Sequence, residues 1–211
     1  MTIKVLLADD HAVVRMGFRL LLEACDDIEV VAEAESGEEA YRLFSELAPH
    51  VVVMDLAMPG IGGIEAVKRI VARDRNARVL ALSAHEDLSH PKRVLQAGAL
   101  GYLSKRGAPE ALIDAVREIA QGRRMIDPAL AQKMAMQSLQ GEPNPVERLT
   151  EREFAVFIQL AKGQSVNRIA EVLSLSPSTI GTHLYNIKQK LGVGNQSEMT
   201  LLAVRHGLIE A

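Results

Sequence analysis

Leu6-Leu-Ala-Asp-Asp-His11 closes an apolar run, Ile3–Ala8, with two consecutive carboxylates. Four more short apolar runs follow at Ile28–Ala32, Val51–Met54, Val79–Leu82 and Leu100–Leu103. Each is strand-sized and rich in Val, Ile, Leu and Ala. The stretches between them carry apolar residues three or four apart, as in Val14, Phe18, Leu21 and Leu22, the spacing of one helix face. Near-continuous apolar strands alternating with helices describe βαβ units around a parallel sheet buried on both faces. Five strands and five helices are expected, the last helix running from about Pro109 to Gln121. Right-handed crossovers then place helices on both sides of the sheet.

An open α/β sheet presents its ligand site beyond the carboxyl ends of its strands. There this chain puts Asp9-Asp10, Asp55, Ser83-Ala84 and Ser104-Lys105. Each feature alone is ordinary: an Asp at a strand end commonly caps a helix or shapes a turn, and a loop Lys is commonly solvated. Together they form a chemical set. Three carboxylates in a small volume repel one another, and a divalent cation relieves that; Mg2+ suits an oxygen site with one or two direct carboxylates and several waters. A carboxylate can attack phosphorus to give an aspartyl phosphate. A cation and a lysine would neutralise the transferring group, and a nearby hydroxyl could turn to bond the new phosphoryl oxygen, which makes a switch. Met54 is read as core, Met58 as loop packing, and Pro59 with the glycines at 60, 62 and 63 as shaping the turn into the next helix.

After Gly122 the pattern changes. Asp127-Pro128 opens a Met- and Gln-rich helical piece reaching about Leu139, and Gly141, Pro143, Asn144 and Pro145 then interrupt regular structure. Residues 122–146 are expected to link two domains, 1–121 and 147–211. In the second, strands disappear. Thr150-Glu-Arg-Glu153 is a capping box before an apolar helical run, and Gly163 stops that run. Ser165 caps a second helix. Ser176-Pro177 starts a third, with a cap residue and proline at the first helical position, ending near Leu191-Gly192. Asn195-Gln-Ser-Glu198 starts a fourth, to about His206-Gly207.

The third of these helices carries Ile180, Leu184, Ile187 and Leu191 on one stripe. Opposite lie Ser178, Thr182, Tyr185 and Gln189, with Asn186 beside them and Lys188 and Lys190 flanking; His183 is nearer the apolar stripe. No acidic residue occurs from Ser174 to Gly194. Such a face is either a plain solvated surface or one fit for a DNA major groove, where hydroxyls and amides meet base edges and lysines meet phosphates. A helix over Ser165–Leu173, a short Ser-Leu-Ser turn and a new helix is helix-turn-helix spacing, which favours DNA. The last helix, with Met199, Leu201, Leu202 and Val204, has more apolar surface than one packing face needs, and is either core or a dimer contact.

The first 121 residues resemble a response-regulator receiver domain of CheY-like (flavodoxin-like) fold, in Leu6–His11, in Val53-Met-Asp-Leu-Ala-Met-Pro59 with Gly63, in Leu82-Ser-Ala84 and in Gly98-Ala-Leu-Gly-Tyr-Leu-Ser-Lys105. The resemblance implies that Asp55 is the phosphoacceptor. It implies that Asp10, Asp55 and the carbonyl of Ala57 bind Mg2+ with Asp9 close by, that Ser83 and Tyr102 are the switch residues, and that Lys105 binds phosphate. Arg106 stands where many receivers carry proline. Residues 147–209 resemble a LuxR-type DNA-binding domain, in Leu149–Glu153, Leu160–Gly163, Ile169-Ala170, Leu175–Thr179, Thr182-His183 and Lys190-Leu-Gly192. Ser178, Thr179, Thr182, Tyr185, Asn186, Lys188, Gln189 and Lys190 are then the candidate DNA contacts. Ser178 stands where lysine is often found, and Arg168 where glutamate is common. Together the chain is similar to the NarL/FixJ family of two-component response regulators. Met58–Ala66 and Arg205-His-Gly-Leu208 are also similar to the GacA/UvrY branch. The implied partners are a sensor histidine kinase, double-stranded promoter DNA and, on an inverted repeat, a second copy of the chain.

Composition narrows the field further. Cys25 is alone among 211 residues, so neither an intrachain disulfide nor a cysteine zinc site can form. The longest apolar runs fall far short of the roughly 20 residues of a membrane helix, so a cytoplasmic protein with no membrane partner is expected. Residues 1–121 hold 14 Lys/Arg against 19 Asp/Glu, whereas 145–211 hold 7 against 6. The second domain is only faintly basic, so affinity for DNA would rest on local charge placement and on pairing two copies. An aspartate-nucleophile phosphatase of the haloacid dehalogenase type would carry a second Asp two residues after Asp55; Ala57 stands there, and an enzyme is not expected. A constitutive DNA-binding protein with a vestigial receiver is the other alternative.

Overall fold

The computed structural model describes residues 2–83, 89–105, 107, 109–139, 145–173, 175–206 and 208–209. Ala84, Arg106, the 141–144 interruption and Gly207, all used in reading the sequence, lie outside the described residues. The chain divides into two units, Met1–Met136 and Gln137–Ala211.

The first unit is a six-stranded parallel sheet in the order β2-β1-β3-β4-β5-β6. Its strands are β1 Ile3–Ala8, β2 Ile28–Ala34, β3 Val51–Asp55, β4 Val79–Ser83, β5 Gly101–Ser104 and β6 Met125–Ile126. Helices α1 Ala12–Glu23, α2 Gly37–Leu47, α3 Gly62–Arg73, α4 Ser89–Gln96 and α5 Pro109–Ala120 alternate with them, and α6 Pro128–Leu139 follows. Alternate strand residues sort cleanly between the two faces. Leu6, Ala8, Val52, Met54, Val79 and Ala81 pack with Ala40 and Phe44 of α2, Val67 and Ile70 of α3 and Val94 of α4. Val5, Leu7, Val51, Val53, Leu80 and Leu82 pack with Leu22 of α1 and Leu112, Val116 and Ile119 of α5. Each fully buried Leu, Ile or Val contributes about 1.5–3 kcal/mol over an exposed one, which is why both faces must be covered.

The sequence called for five strands; the described residues form six. β6 lies in the stretch expected to be linker and pairs in parallel with β5, Met125 N–H donating to the Leu100 carbonyl at 3.1 Å. Two residues are too few to show a period, so only tertiary pairing reveals them. Gly101 permits the close approach: a Cβ there would meet the Met125 carbonyl oxygen at 2.6 Å.

Among the described residues the second unit holds a 3-10 turn at Pro145–Arg148 and four helices, α7 Glu151–Ala161, α8 Val166–Val172, α9 Pro177–Leu191 and α10 Gln196–Arg205. Each starts on a side-chain cap: Thr150 with a complete capping box, Ser165, Ser176 and Asn195. A lost cap costs ~1 kcal/mol. Phe154, Phe157 and Leu160 of α7 pack around Ile169, Ile180, Ile187 and Met199. Two carbonyls at the end of α7 hold α10 in place: Leu160 accepts from Gln196 Nε2 at 2.8 Å, and Ala161 accepts from Thr200 Oγ1 at 2.9 Å.

Candidate functional site

The strand order reverses direction between β1 and β3, so the loops leaving them diverge to opposite faces and open a crevice. Asp9 follows β1 and Asp55 ends β3; both are fully buried. Asp9 N–H is held by the Ala34 carbonyl at 3.0 Å. From beyond β5, Lys105 reaches in with Nζ 2.6 Å from Asp9 Oδ2 and 2.8 Å from Asp55 Oδ2. Its own N–H donates to the Ser83 carbonyl at 2.8 Å, fixing the Lys105 loop to the end of β4. Asp55 Oδ1 accepts the Ala57 N–H at 3.2 Å, and Asp9 Oδ1 accepts the His11 N–H at 2.9 Å.

Burial pushes the Asp55 carboxyl up from its ordinary range and the Asp9 charge adds to that, while Lys105 and the Ala57 N–H oppose it. Burial works against the Lys105 charge as well, but its contacts with Asp55 and Asp9 prevail and raise it, so the ammonium stays charged. Asp10 is partly exposed and faces His11 Nδ1 at 2.8 Å. Ligand atoms of Asp9, Asp10, His11 and Asp55 all lie within 4.8 Å of one another. Among the described residues, Asp9 Oδ2 and Asp55 Oδ2 are met by the Lys105 ammonium alone, and Asp10 Oδ1 by His11 alone. Buried carboxylate oxygens short of donors, clustered around an oxygen-rich pocket, fit a hard dication such as Mg2+.

Ser83 and Tyr102 are both buried. Tyr102 pairs with Ala81 across β4–β5, so its ring shares the sheet face of Ala81 and Ser83 and lies in the core with Val94. Gly63 lets α3 start against the Asp55 loop: a Cβ there would stand 2.0 Å from the Asp55 carbonyl oxygen. Gly60 and Gly62 have φ of 76° and 75°, the left-handed conformation glycine adopts without strain. Sequence reading gave no role to two residues, His11 in the acidic cluster and Arg15 behind it. The signal for Arg15 was present, since it is the one charge on the inward side of α1.

In the second unit α8, a short turn and α9 form the helix-turn-helix. Ile180 and Ile187 are buried, with Leu184 and Leu191 half-buried, while Ser178, Thr182, Tyr185 and Gln189 are exposed. Thr179, Asn186 and Lys188 are half-buried on the flanks. The Ser176 hydroxyl caps α9 and lies 2.8 Å from both the Ser178 and Thr179 hydroxyls, and Thr182 Oγ1 donates to the Ser178 carbonyl.

Two of the candidate contact residues are engaged inside their own domain. Lys190 is engaged within its own domain, with Nζ 2.6 Å from Glu153 Oε2, because the capping-box carboxylate is buried and needs a cation. Met199 is fully buried in the core of its own domain. Of the other three, Leu201 is 70% exposed, and Leu202 and Val204 are half-buried.

An acidic crevice at the switch point of a 2-1-3-4-5 parallel sheet, with a separate capped helix-turn-helix, defines a receiver joined to a DNA-binding domain. Family models agree: "Response regulator receiver domain" matches residues 5–117 and "Bacterial regulatory proteins, luxR family" matches 147–203. The chain belongs to the two-component response regulators with a LuxR-type domain, DNA-binding regulators of transcription. Among relatives, it is 42% identical to the response regulator UvrY of Escherichia coli K12, covering 99% of this chain and 97% of that one. It is 41% identical to the response regulator GacA of Pseudomonas syringae pv. syringae, covering 99% of both. The structure of RcsB from Salmonella enterica serovar Typhimurium, bound to promoter rprA in the presence of phosphomimetic BeF3-, superposes with a TM-score of 0.67 at 28% identity, covering 96% of this chain and 98% of that one. No helix among the described residues is long and apolar enough to cross a membrane.

Proposed function

We propose that Asp55 accepts a phosphoryl group from a sensor histidine kinase and that the modified chain, acting in the cytoplasm, regulates promoters as a DNA-bound dimer. The observation that carries this is the Lys105 ammonium held between two buried carboxylates, Asp9 and Asp55. One Asp55 oxygen forms a bond to phosphorus as the bond from phosphorus to the kinase imidazole nitrogen breaks, the electron pair returning to that nitrogen. Asp10, Asp55 and the Ala57 carbonyl would hold Mg2+ with Asp9 alongside, and bound Mg2+ supplies neutralisation of charge on the transferring group. Lys105, already charged, moves from Asp55 to the new phosphoryl oxygens. Ser83 turns its hydroxyl to the phosphoryl group, and Tyr102, on the same sheet face, relays the change as the switch aromatic.

That RcsB, which shares this fold, is bound to promoter DNA supports DNA binding here. Ser178, Thr179, Thr182, Tyr185, Asn186, Lys188 and Gln189 would meet double-stranded DNA, and Leu201 with Leu202 and Val204 would contribute to the pairing of two copies. The experiment is labelling with a phosphorylated kinase or acetyl phosphate, followed by sedimentation and promoter binding. One phosphoryl group per chain, absent in Asp55→Asn, with a rise in mass and in DNA affinity, is expected. Labelling retained in Asp55→Asn, or continuous turnover of phosphate esters, would overturn it.

A further inference from the structure

Behind the acidic pocket, on α1, lies a buried cation that phosphoryl transfer does not touch. The Arg15 side chain is 11% exposed, and its guanidinium reaches three acceptors at once. One terminal nitrogen donates to the Asp9 carbonyl at 2.6 Å, Nε donates to Glu33 Oε2 at 2.8 Å, and the other terminal nitrogen donates to Glu35 Oε1 at 2.7 Å. A planar fork with donors in fixed directions can do this; an ammonium on a flexible stem cannot hold the same three directions.

The Asp9 carbonyl belongs to the rigid peptide unit joining Asp9 to Asp10. The Asp9 N–H is separately fixed by the Ala34 carbonyl at 3.0 Å. Asp9 is therefore gripped on both of its backbone groups from β2 and the residue beyond it, once directly and once through Arg15. Rotation of the Asp9–Asp10 peptide would swing the two carboxylates relative to each other. Glu33 and Glu35 flank Ala34, so the guanidinium bolts the β1–α1 turn to the end of β2.

We infer that Arg15 is a positioning residue for the cation pocket, setting the relative placement of the Asp9 and Asp10 carboxylates through the peptide between them. This rests on the reading of that pocket as a Mg2+ site. The sign of the effect separates positioning from charge. A guanidinium beside the pocket repels a dication, so if Arg15 acted by its charge alone, removing it would tighten Mg2+ binding. If it acts by placement, removing it weakens binding; loss of such a supporting interaction typically costs 10–100-fold in metal affinity.

The test is calorimetric titration of the full chain with Mg2+ alone, with far-UV circular dichroism and thermal melting to verify the fold of each variant. Folded Arg15→Met is expected to bind Mg2+ about tenfold more weakly. Arg15→Lys, which keeps the charge but not the fork, should fall with it rather than with wild type. Wild-type or tighter affinity in Arg15→Met, or wild-type affinity in Arg15→Lys, overturns the inference. Should Arg15→Met not fold, Arg15→Lys decides alone, since it leaves the charge unchanged: weaker Mg2+ binding there supports the inference and unchanged binding overturns it. Failure of wild type itself to bind Mg2+ removes the cation reading and this inference with it, a result distinct from any variant's.

Discussion

Replacing Lys190 with Met tests whether this residue serves the domain's own fold or the DNA. Its ammonium lies 2.6 Å from Glu153 Oε2 and the glutamate side chain is 5% exposed, whereas the lysine is 36% exposed. Removing one partner of a fully buried pair costs about 3–5 kcal/mol. The exposure of Lys190 calls for a discount toward surface values. Glu153 also keeps the Thr150 N–H at 2.7 Å, which leaves part of its charge satisfied. A loss of ~1–2 kcal/mol results, and for a domain of this size that is a fall in Tm of roughly 4–16 °C. The contacts with Lys190 and Thr150 outweigh burial and hold the Glu153 carboxyl below its ordinary range. Its stabilising contribution is therefore fully present above about pH 4.3, the unfolded carboxyl's pKa, and disappears as pH drops through the lower folded value. Differential scanning calorimetry of full-length wild type and Lys190→Met, at pH 7 and at descending pH, should show a gap in the transition of the second unit that closes in acid. An unchanged Tm at pH 7, with the salt dependence of DNA binding reduced by about one unit of slope, would place Lys190 on a phosphate and refute the assignment.

Other substitutions separate fold from chemistry. Gly63→Ala puts a methyl 2.0 Å from the Asp55 carbonyl oxygen and should cost ~3 kcal/mol or more in urea unfolding while disturbing phosphorylation at Asp55. Ile187→Ala empties a fully buried position and should destabilise the second unit by ~2–5 kcal/mol. Tyr185→Ala, at a 64% exposed position on the opposite face, should change stability by less than about 0.5 kcal/mol yet weaken promoter binding in a gel-shift assay. Lys105→Met leaves two buried carboxylates facing one another, so labelling of Asp55 should fail and thermal stability should drop, with added Mg2+ restoring part of the stability.

Local physics was legible in the sequence because it acts over a few residues. A strand buried on both faces must be apolar throughout, so β1, β3 and β4 announced themselves. A side-chain cap lies three residues from the N–H it accepts, so Thr150, Ser165, Ser176 and Asn195 marked four helix starts. The strand-end positions of Asp9, Asp10, Asp55, Ser83 and Lys105 followed from the same pattern, and with it the pocket. What needed tertiary structure depends on partners distant in the chain. Glu153 and Lys190 are 37 residues apart, and nothing local to either shows that one buries its charge against the other. Arg15 meets Glu33 and Glu35 only because α1 lies over the end of β2. Met199 and Leu201, two residues apart on one helix, differ between core and surface because α10 docks on α7 through one face. β6 exists because β5 offers an edge to pair with. Sequence period and capping thus determined which elements form and where the acidic cluster sits; long-range packing decided which charges are committed to the fold and which are left for a partner.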